Sequence, residues 1–166
     1  KGLEVIETKW LFDIPSDSID IVIHPQSIIH SMVEFKDSSI KAQLGVPDMK
    51  VPIQYALTYP SHVQSDWEPL DLAKIGTLTF EAPDLEKFRC IELAYNALNE
   101  SSSYSVVLNV ANDTTVQAFL DGKIKFNHIP KFNELAMESH PQTNSNDLDT
   151  IQELTQWTEK FIKDQI

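Results

Sequence analysis

Lys1 and Glu4 stand three residues apart in KGLEVIETKW, a stretch whose apolar spacing reads as helix, so the two side chains share one helical face. A carboxylate there is a ligand for a hard divalent cation, and the ammonium beside it is a point charge for an anionic substrate. The same pair also reads as a surface ion pair of little consequence. A second cluster is IHPQSIIHSM, with two histidines and two serines in a β-rich run. His24 opens a turn whose direction Pro25 sets. His30 falls in a strand, on the face opposite Ile29, Ser31, Val33 and Phe35, where an imidazole packs and hydrogen-bonds in a core as readily as it serves a site. In GVPDM, Gly45 and Pro47 shape a turn, and the Met49 thioether can pack on a flat ring or fill a gap.

These residues need elements to hold them. Leu3, Ile6, Trp10 and Leu11 recur at helical spacing, and Pro15 and Ser16 end that helix. IDIVI (19–23) is β-branched and predicts a buried strand. HPQS is a turn. IIHSMVEFK (28–36) and IKAQLGV (40–46) predict a hairpin closed by DSS. A helix is expected from Pro47 to about Tyr59. Residues 60–76 have little periodicity, and TLTFEAP (77–83) predicts one short strand. After Pro83 the pattern turns helical: 84–99 with Leu85, Phe88, Leu93, Ala94 and Leu98, then 103–121 stopped by Gly122, 129–139, and 147–165. SHPQTNSND (139–147) is expected to be a solvated loop. The polar side of 105–122, with Asn109, Asn112 and Asp113, reads as a packing or contact face. The fold class is α+β: a partial α/β domain with a hairpin sheet, a connector, and a four-helix bundle-like domain. The expected domains are 1–58, 59–84 and 85–166.

Composition removes several functions. The formal net charge of -12 over 166 residues argues against wrapping nucleic acid or lying on an anionic membrane. No apolar run approaches the ~18 residues of a membrane span. With Cys90 alone, no disulfide can form within the chain, which suits a reducing compartment. There is no Gly-rich phosphate loop and no Cys/His pattern with zinc spacing.

KGLEVIETKWLF, IHPQSIIHSMV, AQLGVPDM, LTFEAPD and LNVANDTTVQAFL, in that order, resemble the C-terminal part of the 1-deoxy-D-xylulose 5-phosphate reductoisomerases, across essentially the whole chain. The resemblance implies a chain that starts inside the catalytic α/β domain and runs to the natural end. It would then lack the NADPH-binding domain, a Asp-Ser-Glu segment with two further carboxylates, a mobile loop, and an Asn directly before Lys1. The implied reaction makes 2-C-methyl-D-erythritol 4-phosphate for non-mevalonate isoprenoid synthesis, with Mg²⁺ or Mn²⁺ and NADPH as cofactors. Position by position, Glu4 matches a metal-ligating carboxylate that also meets the substrate, and Lys1 a lysine near the substrate's phosphate. His30 matches a supporting histidine of the catalytic site, and Met49, Pro47 and Ser27 match positions near the nicotinamide. The implied partners are a phosphorylated ketose and a second copy of the enzyme, in a bacterial cytoplasm or a plastid-type organelle.

Two readings stand side by side at this stage. One is a fragment of a metal- and NADPH-dependent reductoisomerase, inactive alone. The other is a non-catalytic assembly or regulatory module made of a hairpin sheet and a helix bundle.

Overall fold

The computed structural model describes residues 1–144 and 147–166. In chain order the elements are α1 (Gly2–Phe12), β1 (Ile29–Glu34), β2 (Ile40–Leu44), α2 (Lys50–Thr58), α3 (Leu72–Ile75), α4 (Arg89–Asn99), α5 (Ser102–Leu120), α6 (Ile129–Ser139) and α7 (Leu148–Gln165), with 3-10 turns at Ser16–Ser18 and Phe126–His128. They form two compact units, residues 1–21 with 83–166, and residues 22–82. This is the α+β class expected. No helix of the described residues is long and apolar enough to cross a membrane.

The helical unit is built around α5, which packs on α4, α6 and α7. Its core joins Leu93, Ala94 and Ala97 of α4, Val107, Leu108 and Ala111 of α5, Ala136 and Met137 of α6, and Leu154 and Ile162 of α7. Non-polar residues at helical spacing bring these faces together, and removing them from water is the main stabilising term. Helix ends follow local chemistry. The Asp147 carboxylate accepts the Thr150 N–H at 2.8 Å to start α7. At the end of α5, Gly122 (φ 73) and Lys123 donate their N–H groups to the carbonyls of Phe119 and Ala118, a Schellman stop that needs a left-handed residue.

Polar residues are also buried in this unit, among them Ser103, Thr115, Asn133, His140 and Thr158. The Thr115 hydroxyl reaches the Asn133 Oδ1 at 3.0 Å, and the Asn133 amide donates to Asn112 Oδ1 at 3.3 Å. Asn112 therefore does serve packing, as its position on α5 suggests. His140 was expected in a solvated loop and is instead buried. Its Nδ1–H donates to the Met137 carbonyl at 2.7 Å, its Nε2 faces the Ser103 hydroxyl at 2.9 Å, and its ring meets Tyr104 edge-on. A helix C-terminus leaves free carbonyls, and this imidazole satisfies one of them. Residues 145–146 of that expected loop lie outside the described residues.

α1 packs on α4. Its buried residues are Gly2 and Val5, and Ile6 packs against the core. Trp10 and Leu11, which the spacing grouped with this face, are 66% and 77% exposed. The expected helix from 84 begins only at Arg89. The Asp84 carboxylate accepts the Lys87 N–H at 3.0 Å, holding a turn, and Leu85 and Phe88 stay exposed. IDIVI is not a strand. A strand needs a ladder, and the described residues offer only a single bridge, Ile23 with Glu81, closed by two N–H···O bonds of 2.9 Å. TLTFEAP accordingly gives that one bridge and no strand.

In the smaller unit β1 and β2 pair antiparallel. The DSS turn forms as expected. Ser38 takes φ 63, and the Asp37 carboxylate accepts both the N–H and the hydroxyl of Ser39. The register passes from Ile29 opposite Leu44 to Ser31 opposite Gln43, so His30 is an extra residue in β1, a β-bulge. Only Ile28 and Gly45 are buried within residues 22–82, and Val33 and Phe35 are exposed.

Candidate functional site

The first turn of α1 carries the charged pair. Lys1 Nζ lies 3.1 Å from Glu4 Oε1, and both side chains are more than half exposed. The sequence reason is the i, i+3 spacing on a helix that Gly2, Val5 and Ile6 fasten to the bundle. Partial burial pushes the Glu4 carboxyl upward. Hydrogen bonds from its own backbone N–H and the Lys1 ammonium, together with the α-amine that Lys1 carries in this 166-residue chain, outweigh this and bring its pKa down to about 2. Its place in the first turn, where helix N–H dipoles point, favours the same ionised form. The result is an ionised, accessible oxygen donor beside a cation. Such a carboxylate suits a hard divalent ion, which takes several oxygen ligands. Among the described residues no group of three His, Cys, Asp or Glu side chains converges to complete such a shell, so Glu4 could fill one position of it.

The other candidates belong to the smaller unit. The HPQS turn closes with the Ser27 N–H on the His24 carbonyl at 2.9 Å, and Ser27 takes the left-handed φ of 51, which costs a non-glycine residue some strain. A distant segment straps this turn. His24 Nδ1–H donates to the Thr79 carbonyl at 2.8 Å and its ring stacks on Phe80. The Gln26 side chain donates to the Thr79 hydroxyl at 2.8 Å and accepts the Thr79 N–H at 3.2 Å. Thr79 and Gln26 thus support the turn that holds Ser27. No local pattern could have shown this, since the partners are 53 residues apart.

His30, at the bulge, is exposed, and its Nε2 lies 3.4 Å from where a Cβ on Gly45 would stand. Gly45 therefore leaves the imidazole room against the return strand. Pro47 is exposed, and Met49, the residue that opens α2, is 65% exposed. A thioether so placed is free to lie on a ring. The structure thus pairs Lys1 with Glu4, puts His30 against Gly45, and places Ser27, Pro47 and Met49 on the surface of the smaller unit. A shallow depression of about 350 Å³ on the helical unit, between Asp17, Asp20, Tyr95 and Asn99, holds none of them.

Comparison with known proteins covers nearly all of the chain. Residues 44–161 match the family model described as DXP reductoisomerase C-terminal domain. The 1-deoxy-D-xylulose 5-phosphate reductoisomerase of Chloroherpeton thalassium is 53% identical over 164 residues, 99% of this chain and 42% of that protein. The enzyme of the same name from Acetivibrio thermocellus is 52% identical, over 99% of this chain and 43% of its own length. The chain thus spans about two fifths of the curated relatives it matches. Among solved structures, the Zymomonas mobilis reductoisomerase in complex with NADPH superposes with a TM-score of 0.91 at 38% identity, over 99% of this chain and 43% of that one. A DOX-P reductoisomerase in complex with NADPH, fosmidomycin and magnesium gives 0.94 at 39% identity, over 98% and 42%.

Proposed function

The chain belongs to the 1-deoxy-D-xylulose 5-phosphate reductoisomerase family, and on that premise we propose that it forms the C-terminal part of an enzyme converting 1-deoxy-D-xylulose 5-phosphate to 2-C-methyl-D-erythritol 4-phosphate. The observation that carries this reading is the identity of 53% maintained over 164 residues. Residues 1–58 then close the catalytic domain, 59–84 connect, and 85–166 form the supporting helical domain.

In this reading Glu4 would supply one oxygen ligand to a Mg²⁺ or Mn²⁺ and would meet the substrate there, while Lys1 would hold the phosphate. Bound metal supplies Lewis-acid polarisation of the substrate's oxygens, and bound NADPH supplies the hydride. The Lys1–Glu4 contact suits both tasks. An exposed pair contributes only about 0.2–1 kcal/mol, so a metal or a phosphate can part it at small cost. His30 supports the reacting end of the site. Ser27, Pro47 and Met49 would lie beside the nicotinamide, where a thioether can pack on a flat ring. The hairpin of β1 and β2 extends across a two-fold axis in a homodimer, where its exposed Val33 and Phe35 would be covered. The setting is a bacterial cytoplasm.

The test follows NADPH absorbance with the phosphorylated ketose and Mn²⁺. The full-length polypeptide is expected to oxidise NADPH, and the 166-residue chain alone is expected to do nothing. Turnover by the isolated chain after repurification, or none by the full-length protein, would overturn the reading.

A further inference from the structure

Gly2 stands between Lys1 and Glu4 and is buried where α1 meets α4. A Cβ added there would lie 2.6 Å from the backbone oxygen of Cys90 and 2.9 Å from the Cβ of Ala94. Gly2 does not have a positive φ, so its backbone conformation does not call for glycine. Glycine is also a poor helix former, so local preference does not call for it either. What remains is space. The first turn of α1 touches the backbone of α4, closer than any side chain permits.

The surface it touches cannot yield. Cys90 O belongs to the main chain of α4, and the neighbouring Leu93 and Ala94 sit in the core of the bundle at 2% and 0% exposure. Val5, one turn along the same face, is 3% exposed and holds the next turn down. Lys1 and Glu4 project from this fastened turn, so their positions are set by how closely α1 lies on α4.

We infer that Gly2 is a positioning residue for Lys1 and Glu4, and that the helical bundle, through Cys90 O and Ala94, thereby sets the place of the metal-binding carboxylate and the phosphate-binding ammonium. This rests on the roles proposed above for Glu4 and Lys1. A methyl group at position 2 cannot stand so close to the Cys90 oxygen, so α1 must move off α4 and carry both charged groups with it. Misplacement on the scale of 1 Å costs up to about 10²-fold in rate.

The experiment compares wild type, Gly2→Ala and Glu4→Gln in the full-length enzyme. Free Mn²⁺ is titrated by electron paramagnetic resonance without substrate, kcat and KM are measured separately, and circular dichroism and thermal unfolding report the fold. The inference expects a folded Gly2→Ala enzyme that binds Mn²⁺ more weakly than wild type and has a kcat lower by up to about 10²-fold and a higher KM. A folded Gly2→Ala enzyme with wild-type Mn²⁺ affinity, whatever its melting temperature, would show that Gly2 serves packing alone. If Glu4→Gln weakens Mn²⁺ binding in that same series, the proposed role of Glu4 survives and only the positioning role falls. If Glu4→Gln leaves Mn²⁺ binding intact, the metal-ligand role falls and takes this inference with it. Should Gly2→Ala not fold, Ala94→Val crowds the same contact from the α4 side. Weaker Mn²⁺ binding by that variant supports the inference, and wild-type binding overturns it.

Discussion

Lys1 Nζ approaches Glu4 Oε1 to 3.1 Å across one turn of α1, and the pair faces solvent. The carboxyl's pKa of about 2 in the folded chain lies below its ordinary value of 4.5. A depressed carboxylate contributes stability that is fully present above the unfolded value and is lost as pH falls through the folded one, here between about 4.5 and 2. The exposed setting keeps that contribution small and screened by salt. In the 166-residue chain Glu4 should therefore titrate well below 4.5 when followed by carboxyl carbon chemical shift. A midpoint at or above 4.5 would contradict this.

On the role proposed for Lys1, Lys1→Ala in the full-length enzyme would remove a charge-assisted contact to phosphate worth about 1.5–3 kcal/mol. The expected outcome is a rise of roughly 10- to 100-fold in KM for the phosphorylated ketose, with a similar loss of affinity for a phosphonate analogue. Mn²⁺ affinity without substrate should change little. Unaltered KM and phosphonate affinity would remove Lys1 from the site.

Two buried threonines separate a network role from a local one. Thr115 and Thr158 are both fully buried, and each hydroxyl reaches a carbonyl of its own helix, Ala111 at 2.8 Å and Leu154 at 2.7 Å, but Thr115 also lies 3.0 Å from Asn133 Oδ1 on α6. Thr115→Val removes the hydroxyl shared between the Ala111 carbonyl and the Asn133 oxygen and leaves that oxygen buried beside a methyl group, at a cost of about 1–3 kcal/mol. Thr158→Val strands no side-chain acceptor and should cost less. Urea unfolding of both variants checks the order, and equal losses would refute it.

Where a pattern is local, the sequence showed the element. Residues 129–139 and 147–165 read as helices from the sequence, and both became helices, Ile129–Ser139 and Leu148–Gln165. The hairpin was legible because alternation on both sides of Asp37–Ser39 leaves few other closures. The misses share a non-local cause. IDIVI has every strand preference, yet only Glu81 bridges it among the described residues. Trp10 and Leu11 suggested the buried face of α1, but the buried residues are Val5 and Gly2, and a hydrophobic pattern cannot flag a glycine. His140 looked like loop because its partners, Ser103 and Tyr104, come from the start of α5. The bulge at His30 depends on a register that only pairing with β2 defines. The charged pair at Lys1 and Glu4 was legible from spacing alone, whereas the strap from Thr79 onto Gln26 and His24 was not.

The account rests most directly on Glu4 as a ligand of the divalent ion, and the measurement that addresses it is Mn²⁺ binding by full-length Glu4→Gln, alongside wild type, by calorimetry without substrate. Glutamine is close to glutamate in helix preference, so α1 should remain formed while one anionic oxygen is lost. The account predicts a Kd raised tenfold or more, roughly 1.4 kcal/mol or above, with the circular dichroism spectrum unchanged. A Glu4→Gln enzyme that binds Mn²⁺ as tightly as wild type would contradict it.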